Sequence, residues 1–242
     1  YYSILNVSNV RPLHFSAWLC SKILNDPENA DTEKLVCGLL SELYGEDADK
    51  ISPLLWGYYS AIADRGKDEI RYMCEKNEFD YNDLGELPFP ERPITDGVLR
   101  YAIGKSLHKK DLDYTESTEK FGKTLEENLP KWEALLKRAE ETELREENRL
   151  YFEQFLKFEI FYMAQMTKAA VACRRFMDAE DEQGLDRAFD EACAAFDAII
   201  EKRRILELGE WENWHRGDKK IDVARWRAEI EKIYPKRKLE IK

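Results

Sequence analysis

The chain has 242 residues, 43% hydrophobic and 36% charged, with 38 basic against 49 acidic side chains and a formal charge of −11. That size and apolar fraction support a packed core without a disulfide or metal staple, and they exclude wholesale disorder. The acidic balance argues against nucleic acid as a partner, and no apolar run reaches the ~20 residues needed to cross a bilayer.

The chain begins Tyr1-Tyr2-Ser3, which reads as a piece of something longer. Ser3 to Val10, SILNVSNV, is rich in β-branched residues and reads as the one convincing strand. A lone strand cannot satisfy its own backbone edges, so its partners are expected upstream. The other reading is an extended arm lying on helices. A short helix capped by Ser16 and carrying Trp18, Leu19 and Ile23 follows, ended by Asn25-Asp26-Pro27.

Asp31 is placed to cap the next helix, with Leu35, Leu39 and Leu43 on one face, Val36 and Leu40 beside them, and Gly45 as its stop. A third helix is expected from about Ala48 to Asp64, antiparallel to the second. Gly85, Pro88, Pro90 and Pro93 punctuate a loop at 78–93, the best candidate for an internal boundary. Helices are expected from Thr95 to Leu107 and from Thr115, with Asn128 and Pro130 marking a new start or a kink. The alternating charges of Glu119 to Arg149 read as a solvated face threaded by Leu125, Leu129, Trp132, Leu136 and Ala139.

Glu146 to Ala179 is read as the longest and central helix, apolar nearly all round. Glu159 stands seven residues from both Phe152 and Met166 on its apolar stripe, and reads first as a paired structural carboxylate. A catalytic acid reaching a pocket is the sharper alternative. The last major helix spans about Glu182 to Glu207, a closing helix lies near Val223 to Ile233, and the tail at 236–242 is expected to fray. The expected fold is therefore all-α: an irregular antiparallel bundle of about six to eight helices after one short strand.

Phosphate-loop, dinucleotide, metalloprotease and serine-hydrolase motifs are missing, and three histidines make poor triad material. Cys20, Cys37, Cys74, Cys173 and Cys193 contain no CxxC pair and read as small buried thiols, a pattern that favours a cytoplasmic setting. No metal, cofactor or catalytic residue is expected within the chain. Two polar clusters remain. Asn9, Arg11 and His14 follow the strand-like run, where Arg11 could clamp a carboxylate and His14 donate to a hydroxyl, or both could cap a chain crossing. Trp211, Trp214 and His215 form the second; their rings would stack on a sugar or seal the base of the bundle.

Three stretches carry a resemblance: Val7 to His14 (VSNVRPLH), Tyr151 to Ala172 (YFEQFLKFEIFYMAQMTKAAVA) and Leu206 to Asp222, containing GEWENWHRGDKKID. Together they resemble the C-terminal helical region of glycoside hydrolase family 115, the xylan α-glucuronidases. The resemblance implies a (β/α)8 barrel upstream, with residues 1–14 its terminal strand and exit loop and 15–235 an accessory bundle. It also implies a carbohydrate substrate met through the full-length protein, with Asn9, Arg11, His14, Trp211, Trp214 and His215 on the substrate side, and a possible homodimer. Arg11 stands where that family has Lys, and His14 where it has Glu. A bundle of this kind would be inactive alone. The other reading of the chain is a non-catalytic helical protein–protein interaction module.

Overall fold

A computed structural model describes residues 10–62, 96–107, 116–209, 212 and 223–241. Among these the fold is an all-α, irregular antiparallel bundle with no strand. The strand-like residues 1–9, the loop at 78–93 and Cys74 lie outside the described residues.

Helix α1, Val10–Asn25, already includes Arg11, Pro12 and His14. The expected exit loop is therefore helical, and Ser16 lies inside the helix rather than capping it. Pro12 is tolerated because it sits in the first turn, where its missing N–H has no intrahelical partner to lose. Helix α2, Thr32–Tyr44, has the expected ends: Asp31 accepts from the Lys34 N–H at 3.0 Å, and Gly45 closes it with φ +56°. Its buried side is Val36, Leu39, Leu40 and Tyr44, so Leu35 and Leu43 lie nearer solvent than the sequence stripe implied. A 3-10 turn, Gly45–Asp47, leads into α3, Ala48–Ile62.

Helix α4 is Asp96–Leu107 and α5 is Glu116–Glu141. Pro130 lies within α5 and starts no new helix. Its local cost, about 3 kcal/mol in a helix interior, is offset by burial of Leu125, Trp132, Leu135 and Ala139 along the same helix. The long helix appears as α6 (Glu146–Phe152), one π turn (Glu153–Lys157) and α7 (Phe158–Asp178). Helix α8 is Glu182–Lys202, capped by Asp181 on the Gly184 N–H, and runs into a 3-10 turn, Arg203–Leu206. Helix α9, Ala224–Glu240, closes the described chain.

Helix α7 is the axis, with α4, α5 and α8 packed around it. That is why Phe158, Ile160, Met163, Met166, Ala169, Cys173 and Phe176 are all buried on one helix. Cys193 is buried too, but Cys20 and Cys37 are exposed, against the expectation of uniformly buried thiols.

The tail is docked rather than frayed. Arg237 donates to the carbonyls of Met177 and Ala179, at 3.0 and 3.2 Å, and so satisfies the open C-terminal end of α7. Lys238 reaches Glu182 at 2.6 Å and Asp186 at 3.3 Å, and the Tyr234 O–H donates to Asp186 at 2.6 Å. Tyr234 also stacks on Phe189 with ring centroids 4.1 Å apart. Charge and ring contacts thus hold a segment whose sequence lacks an apolar stripe.

The other anchor is Asp47, 1% exposed. Its carboxylate accepts from Lys50 Nζ at 2.8 Å, from the Arg145 N–H at 2.9 Å and from Asn148 Nδ2 at 2.8 Å. Asn148 also donates to the Tyr44 carbonyl at 2.9 Å. These donors, the Lys50 ammonium foremost, lower the Asp47 pKa from 3.8 to about 2.

Two outcomes follow. The stability contributed by ionised Asp47 is fully present above pH 3.8 and lost as pH falls through about 2. Chemical denaturation of Asp47→Asn should therefore show a shallower loss of stability between pH 4 and pH 2 than wild type, and equal slopes would disprove the anchor. Arg237→Ala should destabilise by about 1–3 kcal/mol through the orphaned carbonyls, with faster amide exchange at 236–241. Unchanged exchange there would mean that Lys238 and Tyr234 hold the tail alone.

Candidate functional site

The sequence-predicted residues do not assemble into one described site. Asn9, Trp211, Trp214 and His215 lie outside the described residues. Arg11 and His14 are placed only as backbone positions in the first turns of α1.

Glu159 is described fully. It is half-buried near the start of α7, and the Tyr58 O–H donates to its Oε2 at 3.4 Å. Tyr58 itself packs edge-on against Tyr59 and Trp132, with centroids at 5.5 and 5.7 Å. Two turns earlier, Tyr151 packs on Tyr44 at 5.4 Å and on Phe155 at 4.3 Å. This row is the seam where α2 and α3 meet the long helix. It fits the reading of Glu159 as a structural carboxylate with hydrogen-bonding partners. The π turn beside it carries Glu153, which pairs with Lys157 within the turn and with Lys202 at the end of α8 at 3.6 Å. Gln154 donates to the Ile205 carbonyl at 2.9 Å, tying the turn to the following 3-10 segment.

A concave surface among the described residues lies elsewhere, between α1 and α2, as a groove of about 470 Å³. That volume falls within the ~300–1,000 Å³ of ordinary small-ligand sites, but the groove is open rather than enclosed. Trp18, Ala30, Leu35 and Gly38 supply its apolar surface. Lys22 and Lys34 stand on the rim, with Glu42 at the far end. Lys22 Nζ lies 5.2 Å from the centroid of the Trp18 ring, one helical turn away on α1.

Two of the acids lining the groove are already engaged. Asp26 accepts from Asn29 Nδ2 at 3.0 Å, and Asp31 caps α2. Neither Lys22 nor Lys34 has a carboxylate partner among the described residues, and neither has Glu42 a cationic one. The rim therefore presents charge of both signs with no opposite charge paired to it among the described residues, Lys22 resting over the Trp18 ring. Glu159 is not part of this lining.

Sequence reasoning missed the groove for a local reason. The sequence places Trp18 on a short helix and Leu35 on one face of the next, but does not show that both stay half-buried beside each other. The available signal was Gly38, a glycine in the middle of an otherwise good helix-forming run.

No family model matches the chain, and neither the curated proteins nor the solved structures yield a match. The likeness to xylan α-glucuronidases thus rests on its three stretches of sequence. Among the described residues, no helix is long and apolar enough to cross a membrane.

If the rim lysines are uncommitted, reversing both charges should leave folding alone. Lys22→Glu with Lys34→Glu should shift stability by no more than about 0.5 kcal/mol, read by thermal unfolding. A larger loss would show that the pair is structural.

Proposed function

We propose that the chain is a non-catalytic helical interaction module, with the α1–α2 groove as its docking surface. The observation that carries this reading is the state of α1. From Trp18 to Asn25 none of its side chains is buried: Trp18, Leu19 and Ile23 are half-buried, and Leu24 is 54% exposed. An apolar helix at the margin of a bundle, beside an open groove with unpaired charges, leaves contact surface for another molecule. Cys20 and Cys37 are free and exposed on the same two helices, which suits a reducing, cytoplasmic setting.

The accessory-domain expectation for a glycoside hydrolase draws on side chains outside the described residues, and no contact in the groove favours it over a protein partner. Xylan fragments therefore serve as the opposing probe.

The photo-cross-linker p-benzoylphenylalanine, placed at Glu42, should give one defined protein adduct in extracts of the source cells. The same group at Lys137, exposed on α5, should give none. Equal adducts at both positions would overturn the groove as the docking surface. Calorimetric binding of glucuronoxylan oligosaccharides without any adduct would replace the interaction module with the carbohydrate reading.

A further inference from the structure

We infer that the α1–α2 groove receives an amphipathic helix of a partner protein, seated against Gly38. The inference rests on the interaction-module reading and names the form of its partner.

Glycine is the poorest helix former after proline, so a glycine inside a helix calls for a reason. Three other helix-interior glycines have one within the chain. A Cβ on Gly57 would lie 2.7 Å from Leu135 Cδ1, one on Gly104 would lie 3.0 Å from the Trp226 ring, and one on Gly122 would overlap the Arg174 guanidinium. In each case a side chain of a neighbouring helix fills the space, at Gly122 the end of a flexible arginine. Gly38 has no atom within 4 Å of a built Cβ, and it is exposed in the groove. Nothing within the described chain uses the missing side chain. A helix arriving from outside would, since its backbone can approach α2 at that point.

The length of the groove along α2 would take such a guest. It runs along α2 from Asp31 to Glu42, roughly 16 Å or three turns at 1.5 Å per residue. Helices α1 and α2 flank it, Asp26, Asn29 and Ala30 of the connecting turn also line it, and a third helix laid between α1 and α2 would shield Trp18 and Leu35 from water. The free charges set the guest's pattern: acidic residues where it passes Lys22 and Lys34, a basic one where it passes Glu42, and an apolar stripe at helical spacing against Trp18 and Leu35.

The test is panning of the intact chain against phage-displayed peptides of about 14 residues, roughly four helical turns. Winning peptides should show apolar positions three and four apart and should turn helical on binding, by circular dichroism. Gly38→Gln should weaken them at least tenfold without lowering the thermal midpoint of the chain, while Gly38→Ala weakens them less. Winners that are proline-rich or extended, or that bind Gly38→Gln as tightly as wild type, would overturn the helical partner and leave the module reading standing. A failure to enrich any peptide, with a defined adduct still formed at Glu42, would do the same. Failure of both experiments would remove both readings.

Discussion

One carboxylate taken out of water fixes the corner of this bundle where the α2–α3 turn meets the start of α6. Apolar burial draws helices together without fixing their register, because it is non-directional. Asp47 supplies direction. Its oxygens meet the Arg145 N–H and the Asn148 amide, about a hundred residues away in sequence, while Asn148 closes the open carbonyl of Tyr44. The turn between α2 and α3 is thereby locked to the start of α6. With that corner fixed, Tyr44 meets Tyr151, and Tyr58 meets both Trp132 and Glu159. A buried carboxylate is tolerable only when its lone pairs are answered, and here a cation, a backbone N–H and an amide answer them.

The opposite end of the bundle is held by similar means. Helix α8 returns along α7 after a short turn, leaving the last carbonyls of α7 open. Arg237 closes them from α9, and Lys238 and Tyr234 bind the first turn of α8 around Asp186. Between the two corners the α7 surface is filled by apolar side chains of three neighbours. Polar contacts thus set the ends and apolar packing fills the middle. The glycines fit that division. Gly57, Gly104 and Gly122 thin their helices where α3 meets α5, α4 meets α9, and α5 meets α7.

Sequence reasoning reached the features written locally. Asp31 and Gly45 bound α2 because capping needs only a side-chain acceptor and a positive φ at fixed positions. The all-round apolar character of Phe158 to Met177 placed α7 at the axis. What it lost was written at long range. Asp47 is one of 49 acids, and nothing beside it in sequence announces Asn148 as its partner. The segment from Lys236 to Glu240 has too few apolar residues to predict docking, because ion pairs and carbonyl caps dock it. Of the run Ser3 to Val10, which reads as a strand from its β-branched residues, only Val10 is described, and it opens α1, whose Leu19 packs against the core. The π turn at Glu153–Lys157 left no mark either, since its residues all form helix readily.

The two walls of the α1–α2 groove differ in how firmly they are held, and that bears on what it can bind. Helix α2 is set into the core by Val36, Leu39, Leu40 and Tyr44, while its other side turns Leu35 and Gly38 outward. Helix α1 has no buried side chain from Trp18 onward and contacts chiefly α2. A guest would meet one fixed wall and one that must be ordered around it. Ordering α1 draws on the binding free energy, at about 0.5–1.5 kcal/mol for each side chain immobilised. Shape selection would then come from the fixed wall, at Gly38 and Leu35, whereas α1 would set how long the guest stays. Stiffening α1 without touching the groove lining would slow release more than it speeds capture, because related interfaces differ mainly in their off-rates.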